Sequence, residues 1–148
     1  MKLKSAVSTL AFLLGACAAT APPSRSIGSP GPGTLDLACP LPSNCVNSQG
    51  TGGFMPLRFT GAAAQAFALL QATLATFPEA TVVRTEPLAL EVIFTTPVGF
   101  RDQVDFRIDA KAQRIDFRSR SLFGLFDFGK NRSRMQDFAT RFELQSQR

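Results

Sequence analysis

The residues best equipped for chemistry lie between Arg118 and Arg134. Arg118, Arg132 and Arg134 supply guanidinium groups, Asp127 a carboxylate, and Ser121 and Asn131 neutral donors. Lys130, Arg132 and Arg134 crowd the start of an expected helix, where the macrodipole favours acidic residues, and such a local conflict points to function or to a specific partner. Two readings stand. In one, the arginines, Ser121, Asn131 and free backbone N–H groups grip a phosphate or carboxylate. In the other, which is favoured, the charges pair internally: Arg118 with Asp105, and Arg132 or Arg134 with Asp127 or Asp102. The chain has no His, Trp or Tyr, which removes Ser-His-Asp triads, Cys-His pairs and imidazole metal ligands. An enzyme using Asp102 or Asp127 as acid or base is the weakest reading, because no nucleophile, metal set or carboxylate pair stands out. No cofactor and no metal are implied.

The three cysteines divide by position. Cys39 and Cys45 enclose the short segment CPLPSNC, and in an oxidising compartment such a pair closes into a disulfide worth about 2 kcal/mol. A redox-active pair or free thiols are the lesser alternatives, and no His or further Cys completes a metal site. Cys17 follows Lys2, Lys4 and the apolar run from Ala6 to Leu14, the pattern of an export signal. That run is far shorter than the roughly 20 residues needed to span a bilayer. Leu14, Gly15, Ala16 and Cys17 resemble the lipobox of bacterial lipoproteins. The resemblance implies cleavage before Cys17, a diacylglyceryl group on its thiol and acylation of the new amino terminus, which together hold a protein on a membrane almost permanently. With Ala18 next, it implies sorting to the outer membrane, facing the periplasm. Losing Lys2 and Lys4 with the signal lowers the net charge from +5 to +3, too little to suggest a nucleic-acid partner.

These segments set the organisation: a signal peptide over 1–16, the anchor Cys17 and a Pro/Gly/Ser-rich tether over 17–36, and one domain over 37–148. About 19 tether residues would typically hold the domain some 25 Å from the lipid.

Within the domain, Thr60 is a plausible N-cap for a helix over 61–77, in which Ala63, Phe67, Leu70, Leu74 and Phe77 recur at helical spacing before Pro78. Strands follow at 81–86 and 88–95, separated by Pro87. The stretch 102–121 is expected to form an antiparallel hairpin turning at 110–113. Its register sets Ile108 opposite Ile115 and Phe106 opposite Phe117 on one face, and Arg107 opposite Asp116 and Asp105 opposite Arg118 on the other. A slip of one residue would spoil both faces. A second amphipathic helix spans about 131–144, with Met135, Phe138, Ala139 and Phe142 on one stripe; either Asn131 or a Ser133–Gln136 capping box starts it. The expected fold is a single α+β domain: a four-stranded antiparallel meander with one helix before and one after, both packed on one face. The apolar SLFGLF segment at 121–126 is expected to roof the core, with an exposed patch for a lipid or protein as the alternative.

CPLPSNCVNSQ at 39–49, FRDQVDFRID at 100–109 and FRSRSLFGLFDFGKNRSR at 117–134 resemble the bacterial and plastid family called domain of unknown function 1499. The matching residues are Cys39, Pro40, Asn44, Cys45, Asp102, Arg118, Ser119, Ser121, Gly124, Asp127, Gly129, Asn131, Arg132 and Arg134. Gln103, Leu122 and Phe126 depart from the family's pattern, which has a second Asp, an Arg and a small polar residue there. The resemblance covers nearly all the chain after the tether and implies a fold, not an activity. The expected function is a non-catalytic binding or scaffolding lipoprotein of the cell envelope, attached to the membrane through its lipid. Its other partner would be an envelope protein, a lipid or a small anion. The alternative is a carrier that holds an acyl chain among the Phe residues and its head group on the arginines.

Overall fold

The computed structural model describes residues 36–148. The signal, Cys17 and all but the last residue of the tether therefore lie outside the described residues. The chain opens with a 3-10 turn at Pro42–Asn44 and two short strands, β1 (Cys45–Asn47) and β2 (Leu57–Arg58). Helix α1 (Ala63–Leu74) leads to β3 (Ala80–Glu86), β4 (Ala89–Thr95), β5 (Arg101–Asp109) and β6 (Arg114–Ser121), and α2 (Lys130–Ser146) closes the domain.

The four expected strands form the meander β3-β4-β5-β6, but the sheet has six strands rather than four. β1 and β2 both pair antiparallel with β6, β1 against Arg118–Arg120 and β2 against Arg114–Ile115. Three and two residues long, they are too short to show a period of two in sequence, and their partners on β6 are 56 to 75 residues away; only the tertiary fold defines them. They cover the β6 edge, while the opposite edge, β3, is interrupted by a bulge between Val82 and Arg84, a usual protection for an unpaired strand.

The hairpin has the expected register throughout, from Asp109 opposite Arg114 to Asp102 opposite Ser121. Side-chain alternation then sorts its residues. Val104, Phe106 and Ile108 of β5 and Ile115 and Phe117 of β6 enter one core with Leu90, Val92 and Phe94 of β4 and with Leu70, Leu74, Met135, Phe138 and Phe142 of the helices. Phe138 meets Phe106 at 5.0 Å and Phe77 at 5.7 Å between ring centroids. The charged face is more enclosed than charge alone suggests: Asp105 is 0% and Arg118 8% exposed. The start of the domain lies against it, with the Ala38 carbonyl accepting a hydrogen bond from Arg118 and Ser48 donating to Asp116.

Both helices begin where backbone geometry dictates. Gly61 adopts φ +90°, so α1 starts after Ala62, whose N–H donates to the Gln65 side chain, and Thr60 does not cap it. Gly129, in the left-handed region at φ 77°, starts α2 one residue before Asn131, so neither expected cap operates. Asp127 takes the capping role, accepting from the N–H groups of Gly129 and Asn131 at 3.0 and 2.8 Å. The SLFGLF segment does not roof the core. Leu122, Phe123, Leu125 and Phe126 are exposed, because the helices already fill the space over the sheet.

Candidate functional site

The helix-facing rows of β5 and β6 change character along their length. On β5 the row runs Ile108, Phe106, Val104, Asp102; on β6 it runs Ile115, Phe117, Ser119, Ser121. The apolar end takes the Phe and Leu side chains of α1 and α2, so the polar end must receive polar groups or leave buried ones unpaired. The first turns of α2 supply them. Arg134 pairs with one carboxylate oxygen of Asp102, and Ser121 donates to the other at 2.7 Å. Arg134 also donates to the Asn131 side-chain oxygen at 3.1 Å and lies 4.8 Å from the centroid of the Phe94 ring.

Asn131 is the hub. It is fully buried, its oxygen accepting from Ser119 and Arg134, its amide donating to the Asn44 carbonyl, Ser121 and Asp127. Asp127 holds the Asn131 amide and backbone N–H at 2.8 Å each. The anion at this helix terminus is thus a carboxylate of the chain itself. The network ties the 122–129 loop to the start of the domain: Asn44 donates to the Gly124 carbonyl at 2.6 Å, and Ser43 donates to the Leu125 carbonyl.

Of the expected site residues, Ser121, Asp127, Asn131 and Arg134 converge here. Arg118 does not. It lies on the opposite face of β6, donating twice to one oxygen of Asp105 at 2.7 and 3.0 Å. Arg132 also stands apart, exposed, with its guanidinium 5.8 Å from the Phe54 ring centroid. Cys39 and Cys45 form a disulfide, their Cα atoms 5.6 Å apart. Reasoning from residue types gave Asn44 and Ser119 no role beyond their motif match. The signal for Ser119 lay in the hairpin register, which places it on the core face opposite Val104.

Beside the network, Phe100 of the β4–β5 connection and Arg101 at the start of β5 face Phe123, Phe126, Phe128 and Lys130 across a cleft of about 270 Å³. Asp102 and Ser121 form part of its wall. Phe128 takes φ +52° with its ring 100% exposed.

A sequence model of the family described as "Protein of unknown function (DUF1499)" matches residues 37–142. The chain belongs to this family. No curated protein matches the chain. The DUF1499 match runs from buried Leu37 to buried Phe142 and takes in the disulfide, the network and the cleft. Half of the fourteen motif residues given above are side-chain partners in one hydrogen-bonded assembly: Asn44, Asp102, Ser119, Ser121, Asp127, Asn131 and Arg134. Gln103, one of the departures, bridges Arg120 and Asp105 by its amide. Leu122 and Phe126, the other two, project into solvent.

Proposed function

We propose that the protein is a non-catalytic binding module of the cell envelope, anchored through lipid on Cys17 in the outer membrane and facing the periplasm. The observation that carries the binding role is the exposed apolar loop 122–128 held on a buried polar network. Monomeric proteins rarely expose contiguous apolar surface without using it. The non-catalytic part is supported by the engagement of Asp102 and Asp127, whose carboxylate oxygens all accept hydrogen bonds from groups of the fold. The network acts as scaffold, and binding falls to the outward Arg101, Lys130 and Arg132 and to the loop.

The test is the intact mass and membrane fractionation of protein taken from its host envelope. A chain starting at an acylated Cys17, together with release of Cys17→Ala from membranes, is the expected result. An unacylated wild-type chain, or a Cys17→Ala variant that fractionates unchanged, would overturn the anchor.

A second reading, the acyl-chain carrier, is favoured by the cleft rather than by the interior. Phe94, Phe106, Phe117 and Phe138 are fully buried in the packed core, whereas the space beside Phe100 and Phe126 is open. Native mass spectrometry in mild detergent distinguishes the two: a stoichiometric bound lipid supports the carrier, and its absence supports the simple binding module.

A further inference from the structure

The proposed binding role leaves the partner of the apolar loop unnamed, and charge, exposure and chain geometry at that end of the molecule all bear on it. Phe123 is 77%, Phe126 67% and Phe128 100% exposed, and Phe100 and Val98 of the neighbouring hairpin are also exposed. Rings this exposed stand out from the walls of an open cleft, and they suit a fluid medium that moulds around them. The backbone at Phe128 adds to the case. A non-glycine residue at φ +52° is strained, and Phe128, fully exposed, gains no burial that would offset it. Gln113, the other non-glycine residue at positive φ, differs in that its amide donates to the carbonyls of Gly61 and Ala110.

The charges around the loop have one available sign. Arg101 and Lys130 line the cleft and are exposed, and Arg132 is exposed one turn further on. The acids in the cleft wall are engaged, Asp102 with Arg134 and Asp127 with the start of α2. Exposed aromatic and aliphatic side chains beside free cations match an anionic bilayer interface, where the rings lie at headgroup depth and each cation near the surface is worth about 1 kcal/mol.

The start of the domain is fixed beside the same end of the sheet. Cys45 lies opposite Arg120, one residue from the end of β6 where the apolar loop begins, and the disulfide holds Cys39 beside Cys45. Ser43 and Asn44 grip the loop carbonyls directly. Before Cys39 the chain turns along the opposite face of β6, the Ala38 carbonyl accepting from Arg118 and the Leu37 carbonyl from Asn47, and a tether of about 19 residues to a lipid on Cys17 is long enough to let the loop end face the membrane.

We propose that the loop 122–128, with Val98 and Phe100, docks the domain on the surface of an anionic bilayer, with Arg101, Lys130 and Arg132 at the headgroups. The proposal rests on the lipid anchor only for the orientation of the domain. Its test needs no anchor and so fails separately. The signal-free chain, residues 18–148, keeps the whole core and disulfide. Since the protein has no Trp, Phe126→Trp introduces a single indole reporter, and Lys111→Trp at the far hairpin turn serves as control. With phosphatidylglycerol vesicles, Phe126→Trp emission should shift to the blue, less so in high salt or with phosphatidylcholine vesicles, while Lys111→Trp should not shift. Adding Phe123→Ser and Phe128→Ser should weaken vesicle binding about tenfold or more without lowering the melting temperature. No shift with phosphatidylglycerol, an equal shift at position 111, or a lipid-free dimer that these serines dissolve would overturn the proposal. The dimer would assign the patch to a second copy of the chain.

Discussion

At the scale of single residues, two neighbouring arginines of α2 have opposite fates. Arg134 is buried against Asp102, Asn131 and the Phe94 ring; Arg132, two positions earlier, points outward. Removing one member of a buried pair leaves the other charge desolvated, so Arg134→Ala should cost about 3–5 kcal/mol in urea denaturation. Arg132→Ala loses only an exposed cation–ring contact and should cost about 0.5 kcal/mol. Equal losses would show that the buried pair does not govern stability here. The internal pairing of Arg118 with Asp105 could be read from residue types, because they stand opposite each other in a register that the hydrophobic pattern also demands. The choice between Arg132 and Arg134 could not, since it depends on which face of α2 meets the sheet.

Among the elements, the hairpin was legible because each cross-strand pair constrains the register independently. Helix starts were legible only to within one or two residues. Gly61 and Gly129 shift them by taking positive φ, and Asp127 caps α2 from outside the helix. The loop between β1 and β2 has its own constraint at Gly52, where φ is +88° and an added Cβ would lie 2.7 Å from Val46; Gly52→Ala should therefore lower the melting temperature. Phe128→Gly should have the opposite effect, keeping or raising the melting temperature by relieving backbone strain. A clear fall would mean that the Phe128 ring packs after all. For the disulfide, Cys39→Ser should cost about 2 kcal/mol against oxidised protein and nothing against reduced protein. Equal melting of oxidised wild type and variant would deny the bridge a stabilising role.

On the scale of the whole molecule, the polar network and the apolar loop form one mechanical unit at one end of the sheet. Asn44, Asn131 and Asp127 join the start of the domain, the loop and α2. Asn131→Ala should therefore increase amide exchange across 122–129 before it affects the Phe106–Phe117 core, as hydrogen exchange can measure; uniform exchange over both regions would mean that the network adds no local stability. The sequence by itself determined the helices, the four meander strands, the hairpin register and the disulfide partners, because periodicity, cross-strand complementarity and short spacing are local quantities. The two strands on the β6 edge, the cover over the charged face and the exposure of 122–128 were decided by tertiary structure alone. A segment as apolar as SLFGLF has the same composition whether it roofs a core or faces solvent; what decides is how much of the sheet the two helices already cover.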